Sequence, residues 1–384
     1  MVLDRSRHKR PTLREADEPT PEGEEWVEFG GQSIWVAGWT EGGAPYGLTL
    51  DEWRREMRSE LHGAGWARAR DVLNTLVRLQ SPSDARIELG RVTRVGEGSF
   101  RDAYAATAEV TPDPNALSGS WVVLLPRSKA DRAGLSEQTG RELRVLAALQ
   151  RRQLPFRVPR PLGALPGPHG TSLVREFVPG IRLERRAGRQ GAVRPWEIVA
   201  TVAAGVHAVT SSEVAKCFAA APATRREHAR LALGSLEALD CVEARDALVW
   251  AREHLPPDEP ATLLHGDLLG QNILIDPGEA RPYAAVDWAF ASTGDPAHDL
   301  AIVTRGVRRP FQIDRGLDRL LEAYATAQGS HPHVTREHVR VHELCMAAEW
   351  CKDAMAPTPQ SVGEPVDEAI ARLRRVLSMA CASN

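Results

Sequence analysis

Residues 263–276 read LLHGDLLGQNILID, a polar cluster of His265, Gly266, Asp267 and Asn272 set between two apolar runs. Short apolar runs bounded by turn-forming residues are the pattern of buried strands. A third run, YAAVDW at 283–288, ends in Asp287. The spacing therefore predicts short strands whose loop ends carry Asp267, Asn272 and Asp287 as neighbours. Taken singly, Asp267 and Asn272 read as ordinary turn residues, whose side chains bond nearby backbone. Together, two carboxylates and a carboxamide are hard oxygen donors of the kind that holds Mg²⁺ on a nucleoside triphosphate and positions a hydroxyl beside it. Such chemistry asks for positioning and charge neutralisation more than covalent help.

The surroundings of the loop are helical. RPWEIVATVAAGVHAVTSS, TRREHARLALGSLEAL and VEARDALVWAREHL precede it, and GLDRLLEAYATAQ, TREHVRVHELCMAAEWCKDAM and VDEAIARLRRVLSMA follow it. His207 falls on an apolar helix face and reads as a core histidine. Residues 84–178 have another character. RIELGRVTRVGEGSFRDAYAATAEV predicts two strands turned at Gly96 to Gly98, SWVVLLP a buried third, SEQTGRELRVLAALQRR an amphipathic helix, and PLGALPGPHGTSLVREFV a hairpin. A sheet-rich lobe, 84–178, followed by a helical lobe, 179–384, predicts a bilobal α+β fold with a cleft between the lobes.

Ahead of these lobes, residues 1–25 have the polar, charged, Pro-bearing composition of a disordered tail. Residues 26–83 predict a hairpin turned at Gly30-Gly31 and two helices broken near Gly63 and Gly65, the first capped by Thr49 with Glu52. No chemistry is legible there.

With 384 residues and 42% hydrophobic content, the chain can bury a large core. A net charge of -3 argues against general nucleic-acid or membrane-surface binding, and the basic stretches 1–14 and 181–194 read as solvated segments. Five scattered cysteines without CxxC spacing suggest neither disulfides nor zinc. The start of the chain lacks the apolar core of a signal peptide, so a cytoplasmic location is expected.

HGDLLGQNIL followed by VDWAFASTGDPAHDLA resembles the signature of the aminoglycoside phosphotransferase and choline kinase-like family, whose fold is similar to that of protein kinases. The resemblance covers residues 84–384. It implies that Asp267 accepts or orients the proton of a substrate hydroxyl and that Asn272 and Asp287 bind Mg²⁺. It also makes His265 and Asp299 braces of the catalytic loop, while Asp295 reads as a turn or cap residue.

On the sheet side, VGEGSF resembles a glycine loop, with Gly96, Gly98 and Ser99 beside the phosphates of ATP or GTP. Arg101 stands where a third glycine would be, and Glu142 has the place of the helix carboxylate that pairs with a strand lysine. Leu124 occupies the position of that lysine, which leaves Arg127 or Lys129 to reach in, or the contact to be absent. Arg is not equivalent to Lys between a phosphate and a carboxylate. LVREFVPG resembles the hinge, where backbone near Glu176 and Val178 would meet the base.

Three readings follow. The first is a Mg²⁺-dependent phosphotransferase acting on a hydroxyl of a small molecule such as an aminoglycoside, amino alcohol or sugar. The second is a nucleotide-binding scaffold without efficient catalysis. The third is an enzyme that moves a nucleotidyl group or phosphorylates a protein. Glu343, Glu349 and Asp353 on a late helix are candidate lining for a cationic acceptor, and a solvated face explains them equally well.

Overall fold

In a computed structural model the runs around the polar loop are strands, at Thr262–Leu264, Ile273–Ile275 and Tyr283–Ala285. The structure describes residues 26–29, 32–39, 45–49, 64–97, 100–127, 132–183, 194–304, 311, 313–328, 333–356 and 364–382. The expected tail 1–25 and the helix expected from Thr49 lie outside them, as do Gly98, Ser99 and Lys129.

The chain forms two compact units, Met1–Trp66 and Ala67–Asn384. In the first, β1 (Trp26–Phe29), β2 (Gln32–Trp39) and β3 (Pro45–Thr49) make an antiparallel sheet in that order. Phe29 pairs with Gln32, and the expected turn residues between them, Gly30 and Gly31, lie outside the described residues.

The helix α1 (Ala64–Gln80), which lies in the second unit from Ala67 onward, precedes a six-stranded antiparallel sheet. The second of the two expected helices thus begins at Ala64, between Gly63 and Gly65. The side-chain amide of Gln80 donates to the Leu162 carbonyl, 2.7 Å, fixing the end of α1 to the sheet. The strands are β4 (Arg86–Leu89), β5 (Thr93–Glu97), β6 (Arg101–Thr111), β7 (Gly119–Pro126), β8 (Pro161–Gly167) and β9 (Gly170–Glu176). Their order is β4-β6-β7-β9-β8, with β5 also on β6. Along β6 burial alternates through Tyr104, Ala106, Ala108 and Val110, whereas Trp121 to Leu125 of β7 are buried without interruption. A central strand covered on both faces has to read that way.

Helix α2 (Arg132–Leu149) lies between β7 and β8 in the chain. Leu135, Thr139, Glu142, Val145, Leu146 and Leu149 form its buried stripe. Its last turns enter the core of the helical lobe, where Val145, Leu146 and Leu149 join a cluster containing Ile198, Val202, Leu263, Ile273 and Trp288. One helix thus packs into both lobes.

After β10 (Ile181–Arg182), the helical lobe contains α3 (Pro195–His207), α4 (Ser211–Val214), α5 (Arg225–Ala232), α6 (Gly234–Glu237) and α7 (Val242–Glu253). Proline at the first position of α3 and the Thr210/Glu213 capping box of α4 set their starts. Then β11 (Thr262–Leu264) pairs with β14 (Ser292–Gly294), and β12 (Ile273–Ile275) lies between β10 and β13 (Tyr283–Ala285). α8 (Ala297–Thr304), α9 (Gly316–Gln328), α10 (Arg336–Met355) and α11 (Val366–Cys381) complete the lobe. A second core, with Leu236, Trp250, Leu344 and Leu373, binds α6, α7, α10 and α11 together. The result is a bilobal α+β fold. All five cysteines are free. No helix among the described residues is long and apolar enough to cross a membrane.

Candidate active site

Between β11 and β12 the chain makes a short polar loop closed by a 3-10 turn, Gly270–Asn272. Gly266 has φ +77, and a Cβ there would lie 2.0 Å from the Phe290 carbonyl oxygen. Both the conformation and the close approach require glycine. Beside it, His265 is fully buried and its ring lies 4.5 Å from that of Trp288. The Asp267 amide donates to His265 Nδ1, 3.3 Å, so the ring proton sits on Nε2 and is donated to the Val286 carbonyl, 3.1 Å. That bond ties the polar loop to the strand end carrying Asp287.

Asp299 completes the brace. Its carboxylate accepts the backbone amides of His265 (2.7 Å) and Gly266 (2.9 Å) and a bond from His207 Nε2 (3.1 Å). Burial works to raise the Asp299 pKa, but the bond and charge of His207 prevail and hold it down at about 2. His207, the expected core histidine, is buried and bonded on its other side to the Tyr324 hydroxyl, 2.7 Å. It is therefore also part of the loop's support.

The side-chain amide of Asn272 donates twice to Asp267, to the carbonyl oxygen at 2.8 Å and to Oδ2 at 2.9 Å. With its NH₂ so committed, Asn272 has its side-chain oxygen left as a metal donor. The Asn272 carbonyl accepts the Val286 amide, 2.9 Å, so Asp287 follows directly on a residue bonded to the loop. Asp287 itself has φ +67, a left-handed conformation uncommon for aspartate. Among the described residues no three His, Cys, Asp or Glu side chains form a metal cage. The donors instead fit Mg²⁺, which protein sites hold through one or two carboxylates together with substrate phosphates. From the sheet lobe, Arg141 of α2 donates to the Ala289 carbonyl, 2.9 Å, two residues beyond Asp287.

On the sheet side the expected pairing differs. Glu142 is fully buried on α2, but its partner is Arg101 of β6, whose Nη1 lies 2.7 Å from Glu142 Oε2. Arg101 Nη2 also donates to Thr139 Oγ1, 2.9 Å. No strand lysine takes part: Leu124 of β7 is buried with Val122 and Leu173 against Leu143 of α2. Arg127 turns to Asp102, 3.0 Å, which also binds Arg94 at 2.9 Å. Gly96 sits near the end of β5 opposite Ala103, beyond a register shift. Glu176 ends β9, its amide donating to the Arg160 carbonyl at 2.8 Å, and Val178 just beyond it is buried.

No linear pattern singles out Arg175, one residue before Glu176. Burial pulls its guanidinium below the ordinary range, while the charges of Glu142 and Asp287 act in the other direction. Its signal lay only in strand register. Asp295 is a buried brace, bonded to Arg225 Nε at 2.7 Å and His342 Nε2 at 2.9 Å. Glu343 is fully buried and paired with Arg340, which removes it from any acceptor lining. Glu349 is exposed and bonded to Lys352, 3.2 Å.

Known proteins share stretches of this sequence and its fold. The model of the phosphotransferase enzyme family, APH, matches residues 92–338. An aminoglycoside 3'-phosphotransferase of Streptomyces fradiae is 25% identical over 262 residues, covering 65% of this chain and 92% of that one. Shorter matches, 44% over 57 residues and 36% over 78, are to acyl-CoA dehydrogenase family members 11 of Gallus gallus and 10 of Mus musculus. The chain spans only 7% of the length of each of these two. Among solved structures, a Ralstonia eutropha protein classed with the aminoglycoside phosphotransferases superposes with TM-score 0.58 at 16% identity, covering 82% of this chain and 98% of that one. The GDP and kanamycin complex of APH(2")-IIIa gives TM-score 0.53 at 15% identity, over 81% and 98%. At such identities the likeness establishes the fold, a protein kinase-like one.

Proposed function

The chain belongs to the phosphotransferase enzyme family, and from that premise we propose that it transfers the terminal phosphate of ATP or GTP to a hydroxyl of a small molecule, with Mg²⁺ as cofactor. The observation that carries this reading is the clamp of Asn272 on Asp267, with bonds of 2.8 and 2.9 Å. A carboxylate held in this way is oriented to accept the proton of an incoming hydroxyl, the task of a positioned base. Asn272, through its side-chain oxygen, and Asp287 would hold Mg²⁺, which when bound neutralises charge on the phosphates. Asp299 fixes the loop backbone through two amides, so Asp267 does not have to be ordered at the moment of reaction. The acceptor would be an aminoglycoside, amino alcohol or sugar, and the Streptomyces fradiae relative, named as an aminoglycoside 3'-phosphotransferase, supports the first of these. The protein would act in the cytoplasm, without nucleic acid or membrane as partner.

A second reading, a nucleotide-binding scaffold, is favoured by one observation, the burial of Leu124 among apolar side chains where a lysine is expected. Calorimetric titration with ATP and GTP, with and without Mg²⁺, alongside Asp287→Ala, tests the first reading. Metal-dependent binding lost in the variant, followed by phosphate transfer in a screen of hydroxylated acceptors, is the expected result. Binding without transfer to any acceptor would favour the scaffold, and no binding of either nucleotide would sink both.

A further inference from the structure

This inference deepens the phosphotransferase reading and rests on it. Nucleotide phosphates in a cleft of low dielectric call for a fixed cation in addition to Mg²⁺. Leu124 cannot supply it, but the strands on either side of Leu124 can. Leu124 pairs with Ala103 on β6 and with Leu173 on β9. Side chains alternate along a strand, so Arg101, two residues from Ala103, and Arg175, two residues from Leu173, project on the same face as Leu124. That face looks toward α2, because Leu124 and Leu173 pack with Leu143.

The two arginines are placed differently on that face. Arg101 spends both terminal nitrogens on α2, one on Glu142 and one on Thr139. Arg175 lies where Glu142, Asp287 and Arg101 all act on its charge. Around them, Glu142 Oε1 and the Nε atoms of Arg101 and Arg175 are buried without a hydrogen-bond partner among the described residues. Of these, the Arg175 Nε–H is a donor that a phosphate oxygen can meet, whereas Glu142 Oε1 is an acceptor that only a donor can.

We propose that Arg175 is the nucleotide-phosphate contact of this protein, replacing the strand lysine, and that Arg101 is the positioning residue that holds Glu142. The two tasks of one ammonium are divided between two guanidiniums. A compact ammonium can sit between a carboxylate and a phosphate, whereas a planar fork aimed at Glu142 and Thr139 has its directions already fixed. The second fork matches phosphate oxygens in bidentate fashion.

The test titrates wild-type protein and Arg175→Met with Mg·ADP and with adenosine, recording thermal unfolding of each. Methionine is apolar and of similar length, a replacement that buried ion sites often tolerate. Wild type is expected to bind Mg·ADP at least tenfold tighter than adenosine, and Arg175→Met to lose tenfold or more toward Mg·ADP with less than twofold change toward adenosine. A folded variant that keeps its Mg·ADP affinity overturns the proposal. Should the variant not fold, a wild-type complex with Mg·ADP decides: phosphate oxygens farther than roughly 4 Å, the ion-pair limit, from both Nη atoms of Arg175 overturn it as well. Wild type that binds no nucleotide at all overturns the phosphotransferase reading together with this one.

Discussion

The polar loop of the helical lobe and the Arg101–Glu142 side of the sheet lobe are both polar islands in buried surroundings, but they are assembled on different length scales. In the loop, His265 and Asp267 are bonded two residues apart, and Asp267 and Asn272 five apart. In the sheet lobe the central pair, Arg101 and Glu142, is 41 residues apart. A constellation written as a string fixes its geometry through local backbone. One written as a face depends on strand register, and so its members can be exchanged between neighbouring strands while the charge stays in place.

If the loop is the reacting half, Asp267→Asn should lower phosphate transfer about 100- to 10,000-fold, the usual range for a positioned base. Nucleotide affinity should change less than about threefold, since Asp267 faces the acceptor in this reading. Steady-state transfer to an acceptor found by screening, with parallel calorimetry, measures both. A loss confined to affinity would erase the division between the two islands.

Gly266→Ala breaks the string instead of its chemistry. A Cβ 2.0 Å from the Phe290 oxygen, at φ +77, forces the backbone apart between the loop and the segment following Asp287. The cost should be on the order of 3 kcal/mol, from left-handed strain together with overpacking, read as a fall in urea midpoint. A midpoint close to wild type would mean that the loop does not depend on this close approach.

These two sites were not equally legible in the sequence. His265, Gly266, Asp267, Asn272 and Asp287 could be read because their spacing is itself the geometry. The strands β5 to β9 were also readable, from alternation in β6 and from the unbroken apolar run of β7. Arg101 and Arg175 were not, because nothing in a linear pattern says that two arginines lie on one face until β6, β7 and β9 are in register. Glu142 stands out in the sequence and its partner Arg101 does not, for the same reason. The second role of His207 escaped because a buried histidine on an apolar stripe is satisfied equally well by any neighbour. Only the fold shows that its Nε2 meets Asp299, 92 residues away.

The brace of the loop should show itself in acid. Asp299 ordinarily titrates near 3.8 and is held at about 2 in the folded protein. A carboxylate depressed on folding adds stability that is complete above its unfolded pKa and is lost as pH falls through the folded one. The contribution is about 2 kcal/mol and should disappear between roughly pH 4 and 2. His298, held down at about 4 chiefly by burial, titrates at higher pH, so the windows separate. Chemical unfolding of wild type and Asp299→Asn across this range is the measurement. Equal pH slopes in the two proteins between pH 4 and 2 would show that Asp299 is not the linked group.

The smallest effect sharpens the comparison most. Arg127 lies just beyond β7, close in sequence to Leu124, and the family resemblance makes it a candidate to reach the phosphates. The structure gives it to Asp102, at 3.0 Å, with both side chains about a quarter exposed, at 30% and 23%. Asp102 keeps Arg94 as a second partner at 2.9 Å, so removal of Arg127 leaves no carboxylate stranded. Arg127→Ala should therefore cost no more than about 1 kcal/mol of stability, the scale of a solvent-screened ion pair, with nucleotide affinity unchanged within twofold. Sequence proximity predicts the opposite, a loss of tenfold or more in affinity with little change in stability. Calorimetry on this one variant thus decides whether the phosphate side is encoded by nearness along β7 or by the face shared among β6, β7 and β9.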